Sequence, residues 1–224
     1  MAEVRVKKRS FFAYIAMTFS FMGSCSVFQG TGGSLQWTLF YYGGPLILAM
    51  LSLYYVSLNR DIRVRKERRF FIRLFCAPRV VMLLYSCIIW VVSNTAFPYI
   101  SRGISNTLFQ CTAYICGVCI ACGEKDDILE ISLASAITVF GLAYLNGFIQ
   151  NGISFVYALN PFDASADSFR KYTELHEIAY IVGLCILMNL IIGKSTSLKK
   201  KNALFWISVV VFIVAWKRIG IFAV

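Results

Sequence analysis

Val80-Val81-Met82-Leu83-Leu84-Tyr85-Ser86-Cys87-Ile88-Ile89-Trp90-Val91-Val92 runs thirteen residues without a charge, directly after a stretch, Arg60 to Arg79, that carries eight arginines and lysines. A bilayer core about 30 Å thick takes roughly 20 apolar residues as a helix, and cationic side chains gather where that helix meets anionic headgroups. The pairing predicts a membrane span over residues 80–98, entered from a basic loop. Outward from it, the same pattern predicts spans over 11–28, 36–57, 105–122, 129–149, 176–193 and 203–216. Glu130 and Asn146 interrupt the apolar pattern of the middle spans. The expectation is an all-α, polytopic integral membrane protein of about seven transmembrane helices, forming one helical domain over residues 1–224.

Composition agrees with that expectation. Hydrophobic residues make up 58% of the chain and charged ones only 15%, against about a quarter charged in soluble domains; the mean hydropathy is +0.69. The formal charge of +11 raises nucleic acid as a partner. The charges sit in short clusters between apolar runs, however, so no basic domain remains once the spans are set aside. Membrane lipid, and no nucleic acid, is the expected partner.

Counting Lys and Arg in the loops orients the bundle. Arg5, Lys7, Lys8 and Arg9 precede the first span, the Arg60–Arg79 cluster separates the second and third, and Lys194, Lys199, Lys200 and Lys201 separate the sixth and seventh. The alternate loops hold only Arg102 in one, and Arg170 with Lys171 in another. A cytoplasmic N-terminus puts every basic cluster on one side. The basic start, apolar stretch and small residues Gly23-Ser24-Cys25-Ser26 also resemble an export signal. With six spans following, an uncleaved first helix is the better expectation. On the outer side, residues 150–175 form the longest loop, with a turn at Asn160-Pro161, and Ser93–Ser105 forms a smaller one.

Three constellations carry chemistry. Cys111, Cys116, Cys119 and Cys122 follow C-x4-C-x2-C-x2-C, of which the first part matches an iron–sulfur spacing. On one continuous helix they form a rotating stripe rather than a closed cage, so helix packing is expected and no metal. His176-Glu177 begins like a zincin motif, but position 180 is Tyr, which removes the second ligand. An ionisable pair at the outer edge of a span remains a candidate acid–base group. Lys217-Arg218 closes the last span on the outer side, against the positive-inside trend. The pair is either a snorkelling anchor or a site for a phosphate or pyrophosphate headgroup.

The segment Glu174-Leu175-His176-Glu177-Ile178-Ala179-Tyr180-Ile181-Val182-Gly183-Leu184 resembles the ELHD-containing segment of bacterial polysaccharide polymerases. A Lys-rich loop and the junction Trp216-Lys217-Arg218-Ile219-Gly220-Ile221, similar to that family's KRIA junction, follow in the same order and spacing. The resemblance, to the Wzy and O-antigen polymerase–ligase group, covers about 50 residues from Thr173 onward. It implies a lipid-linked glycosyltransferase, if active, in the bacterial cytoplasmic membrane. Such an enzyme joins undecaprenyl-pyrophosphate-linked oligosaccharide repeat units at the outer face for capsule, exopolysaccharide or O-antigen, beside other polysaccharide-assembly proteins. No cofactor, nucleotide sugar or metal is implied. Carried over, Lys217 and Arg218 bind the pyrophosphate leaving group, while His176 and Glu177 orient or deprotonate the acceptor hydroxyl. The family has further spans and basic residues downstream of that junction, whereas this chain stops at Val224, so it is expected to be the N-terminal portion of a larger polymerase. The alternative is a non-catalytic polytopic protein, a transporter or an assembly subunit.

Overall fold

The computed structural model describes residues 2–29, 38–58, 66–93, 97–123, 127–159, 176–192 and 202–215. All of its regular structure is helical: α1 (Ala2–Ser24), α2 (Ser26–Gln29), α3 (Gly44–Leu58), α4 (Lys66–Ser93), α5 (Phe97–Gly123), α6 (Ile128–Asn151), α7 (His176–Ile192) and α8 (Asn202–Ala215). A π-helical turn, Leu39–Gly43, leads into α3, and a 3-10 segment, Gly152–Leu159, follows α6. Three stretches are long and apolar enough to cross a membrane: Arg69–Ser93, Gly103–Gly123 and Ile128–Phe155. Ser10–Ser24, Gly44–Ser57, Ile178–Met188 and Ala203–Val214 are apolar but shorter.

Two expected boundaries move. The charged stretch 66–79, expected as a loop, is helical: α4 begins at Lys66 and passes through Pro78 before ending at Ser93. Arg and Lys are good helix formers, and a Pro within an apolar helix is tolerated when neighbouring groups take up the freed carbonyl. The residues Phe97–Ser105 were assigned to the following outer loop but belong to α5. Pro98 sits in the first turn of that helix, where its missing N–H costs nothing. Glu130, which interrupts the apolar pattern, falls in the first turn of α6, where a carboxylate complements the helix dipole.

The chain divides into two compact units, Met1–Ala16 with Gln29–Lys125, and Met17–Phe28 with Asp126–Val224. In the first unit α5 is central, packed by both α3 and α4. Leu48 and Tyr55 of α3 are fully buried, as are Cys116 and Ile120 of α5. The Phe109 ring of α5 packs directly on Gly44, where an added Cβ would lie 2.9 Å from its Cδ2. The π turn precedes Pro45, whose ring crowds the carbonyl four residues back; widening the turn relieves that clash. Tyr42, on the π turn, shares a 2.9 Å hydrogen bond between its hydroxyl and Ser101 Oγ of α5.

In the second unit α6 packs against α7 and α8, and these two pack on each other. The buried positions of α6 include Ser132, Ser135, Ala136, Val139, Ala143 and Gly147. Small residues at helical spacing let backbones approach, the usual basis of packing between apolar helices. Ile178, Val182 and Cys185 of α7 and Val211 of α8 complete this core. Helix α6 ends at Gly152, which has φ 60° and ψ −144° and donates its N–H to the Phe148 carbonyl. That conformation is close to glycine-only and costs about 1–3 kcal/mol for other residues. Gly152→Ala should therefore loosen the 3-10 segment that seats Phe155, read as faster hydrogen exchange there, with the body of α6 unchanged.

Candidate functional site

His176 is the first residue of α7, and Glu177 follows it in the first turn; the structure describes their backbone but not their side chains. Lys217 and Arg218 lie outside the described residues, beyond the end of α8 at Ala215. Helices α7 and α8 pack on each other. The connection, residues 193–201, is nine residues long, and neighbours joined that tightly run antiparallel. Their contact is marked by Gly183, where an added Cβ would lie 2.7 Å from Cε2 of Phe212. With residue 183 level with 212, the first turn of α7 and the last turn of α8 fall at the same end of the hairpin.

That register has a local cause. Gly183 is the one position in the apolar α7 sequence without a side chain, and Phe212 fills the space it leaves. Ser208, one turn before Phe212, is buried and spends its hydroxyl on the Leu204 carbonyl at 2.7 Å.

Near the end of α6 is a group of amides. Gln150 Nε2 donates to Asn146 Oδ1 at 3.1 Å, and Asn151 Nδ2 donates to the Gly147 carbonyl at 2.8 Å. Asn146 Nδ2 is buried without a hydrogen-bond partner. The amide that disturbs the hydropathy of this span thus belongs to a polar group in the last two turns of the helix.

The cysteine stripe does not converge on one centre. Cys116 is buried and lies beside Ser52 of α3, whereas Cys111 lies beside Cys76 of α4. The stripe serves two different helix contacts, and among the described residues no three His, Cys, Asp or Glu side chains come together to hold a metal ion.

One polar assembly between α4 and α5 has no counterpart in the sequence motifs. Arg79 donates from Nε to Gln110 Oε1 at 3.2 Å and from Nη1 to the Phe75 carbonyl at 3.2 Å. Its guanidinium carbon lies 3.6 Å from the centroid of the Phe75 ring. That ring stacks on Tyr114 of α5, centroids 3.9 Å apart and planes 10° from parallel. The available signal was a single arginine set directly after Pro78, with only uncharged residues from Val80 to Ser93 beyond it. Compared with family models, with curated proteins and with solved structures, the chain matches none of them.

Proposed function

We propose that the chain is a membrane-embedded bundle of about seven spans, N-terminus in the cytoplasm, that acts on oligosaccharides carried by undecaprenyl pyrophosphate. In this reading it belongs to the machinery that joins repeat units at the outer face of a bacterial cytoplasmic membrane. The observation that carries it is the ordered pair of segments Glu174–Leu184 and Trp216–Ile221, separated by a Lys-rich loop. The packing of α7 on α8 is compatible with it, because residues 176–184 of the first segment form the start of α7 and the second segment follows α8 in sequence.

The chemistry assigned to the residues follows from charge. Release of a pyrophosphate leaves negative charge on the departing oxygens, and a guanidinium beside an ammonium stabilises that charge more than the ground state. Arg218 and Lys217 take this role. His176, beside Glu177, accepts the proton of the attacking sugar hydroxyl, with the carboxylate orienting the imidazole. Undecaprenyl pyrophosphate itself is the probe that tests the reading. The reconstituted chain should bind it saturably and in preference to undecaprenol, and Arg218→Ala with Lys217→Ala should remove that preference. Equal binding of pyrophosphate and alcohol by the unsubstituted chain would refute the reading.

A further inference from the structure

The geometry points to Arg79 as the centre of a second, separate site, one that binds a phosphate group carried on a membrane lipid. The site does not depend on the polymer-joining reading and uses none of its residues.

The Arg79 guanidinium is preorganised. A solitary arginine near a membrane surface is usually a mobile snorkelling side chain. Arg79 is instead held from two helices: Gln110 of α5 takes its Nε–H, the Phe75 carbonyl takes one Nη1–H, and the Phe75 ring, backed by Tyr114, covers one face. A guanidinium has five N–H donors. Two are used by these contacts, so three remain, on Nη1 and Nη2, in the forked arrangement that matches two phosphate oxygens.

Each hydrogen-bond or ring partner of Arg79 among the described residues is neutral: an amide oxygen, a main-chain carbonyl and an aromatic ring. An uncompensated cation at the edge of an apolar span is costly and favours an anionic partner. Arg73, six residues earlier on α4, is exposed and adds to the positive field on the same helix.

Depth decides the source of the phosphate. A hydrocarbon core about 30 Å thick needs roughly 20 helical residues. Counted back from the end of α4 at Ser93, that places the boundary near Leu74. The Arg79 backbone then lies about one turn inside, and its side chain reaches back to the Phe75 carbonyl, toward the boundary beyond which lipid phosphates sit. The rest of α4 is open to lipid, with Val91 and Val92 77% and 78% exposed. An acyl chain lying along this helix would bring its headgroup to Arg79.

Native mass spectrometry of the full-length chain, exchanged into mixed micelles of dioleoylphosphatidylglycerol and dioleoylglycerol, tests this. The unsubstituted chain should retain phosphatidylglycerol and not the phosphate-free lipid. Loss of the charged fork in Arg79→Gln should lower retention about tenfold. Arg79→Lys keeps the charge without the fork, and Gln110→Ala keeps the charge without the clamp, so both should fall between the extremes. Val81→Gln, on the exposed part of the same helix, should leave retention unchanged, and monodispersity on size exclusion confirms folding for each. Equal retention by the unsubstituted chain and Arg79→Gln, or equal retention of the two lipids, would overturn the proposal. If Arg79→Gln does not fold, unchanged retention in both Arg79→Lys and Gln110→Ala overturns it instead. A further arm adds millimolar inorganic phosphate. Should it alone raise the melting temperature of the unsubstituted chain, and not of Arg79→Gln, while lipid retention is independent of Arg79, the lipid source is wrong and the occupant is free phosphate.

Discussion

Gly183→Val should destabilise the second unit by about 2 kcal/mol, because overpacking a tight helix contact typically costs 1–3 kcal/mol. The contact is specific. A Cβ at position 183 would meet Cε2, Cδ2 and Cζ of Phe212 at 2.7, 3.2 and 3.5 Å, so the half-buried ring or the helix must shift. Two opposing effects need separating. Any residue replacing Gly in a helix interior recovers propensity, up to about 1 kcal/mol for Ala. Gly183→Ala should therefore fall nearer zero than Gly183→Val. Gly141 of α6, with open space around its Cβ position, is the control: Gly141→Ala should stabilise by up to about 1 kcal/mol. Denaturation in micelles, followed by circular dichroism, measures all three. Combining Gly183→Val with Phe212→Leu removes the ring that causes the clash, so the double variant should cost clearly less than the sum of the single ones. Additive losses would show that the α7–α8 contact is not as described.

Arg218→Ala carries the largest expected functional effect. If Arg218 stabilises the departing pyrophosphate, removing it should slow repeat-unit joining by about 10²–10³-fold, the usual consequence of deleting one charge-stabilising donor. In a host that supplies lipid-linked repeat units, this would be read as a collapse of the polymer ladder toward single units. Arg218→Lys should recover part of the rate, since charge remains while the bidentate fork is lost. The effect should fall on turnover more than on acceptor recognition, because the charge develops as the bond breaks. His176→Ala should instead remove the acid limb from the pH–rate profile, as expected on losing a proton acceptor. A ladder of unchanged length in Arg218→Ala would remove the pyrophosphate role.

Much of the helical architecture was legible because the signal for an apolar helix in lipid is long and unbroken. The stretch Val80–Val92 announces itself, and six other apolar runs each coincide with a helix or with a helix and its adjoining turn. What was not legible depends on neighbours. Lys66–Arg79 carries charge and Pro78, which read as a loop in isolation; the chain continues helically because basic residues are good helix formers and α5 lies alongside. Pro98 read as a loop residue although a first helical turn accommodates it. The Gly44–Phe109 and Gly183–Phe212 contacts join residues far apart in sequence, so no local pattern could reveal them. The Arg79 assembly is of the same kind, since its meaning comes from Gln110 and Tyr114, some 30 residues away on another helix. For the motif residues, the sequence gives order and spacing, and the structure adds that His176 opens a helix whose antiparallel neighbour ends shortly before Lys217.

The central claim is that these helices cross a membrane with the basic clusters on one side. Single-cysteine accessibility tests it most directly, in a full-length chain whose eight native cysteines are replaced by alanine or serine. Asn59→Cys, beside the Arg60–Arg79 cluster, should react with a membrane-impermeant maleimide only after the cells are lysed. Ser165→Cys, between the 3-10 segment and α7, should react in intact cells. Labelling of both positions from the same side, or of the Asn59 position alone in intact cells, would contradict the account.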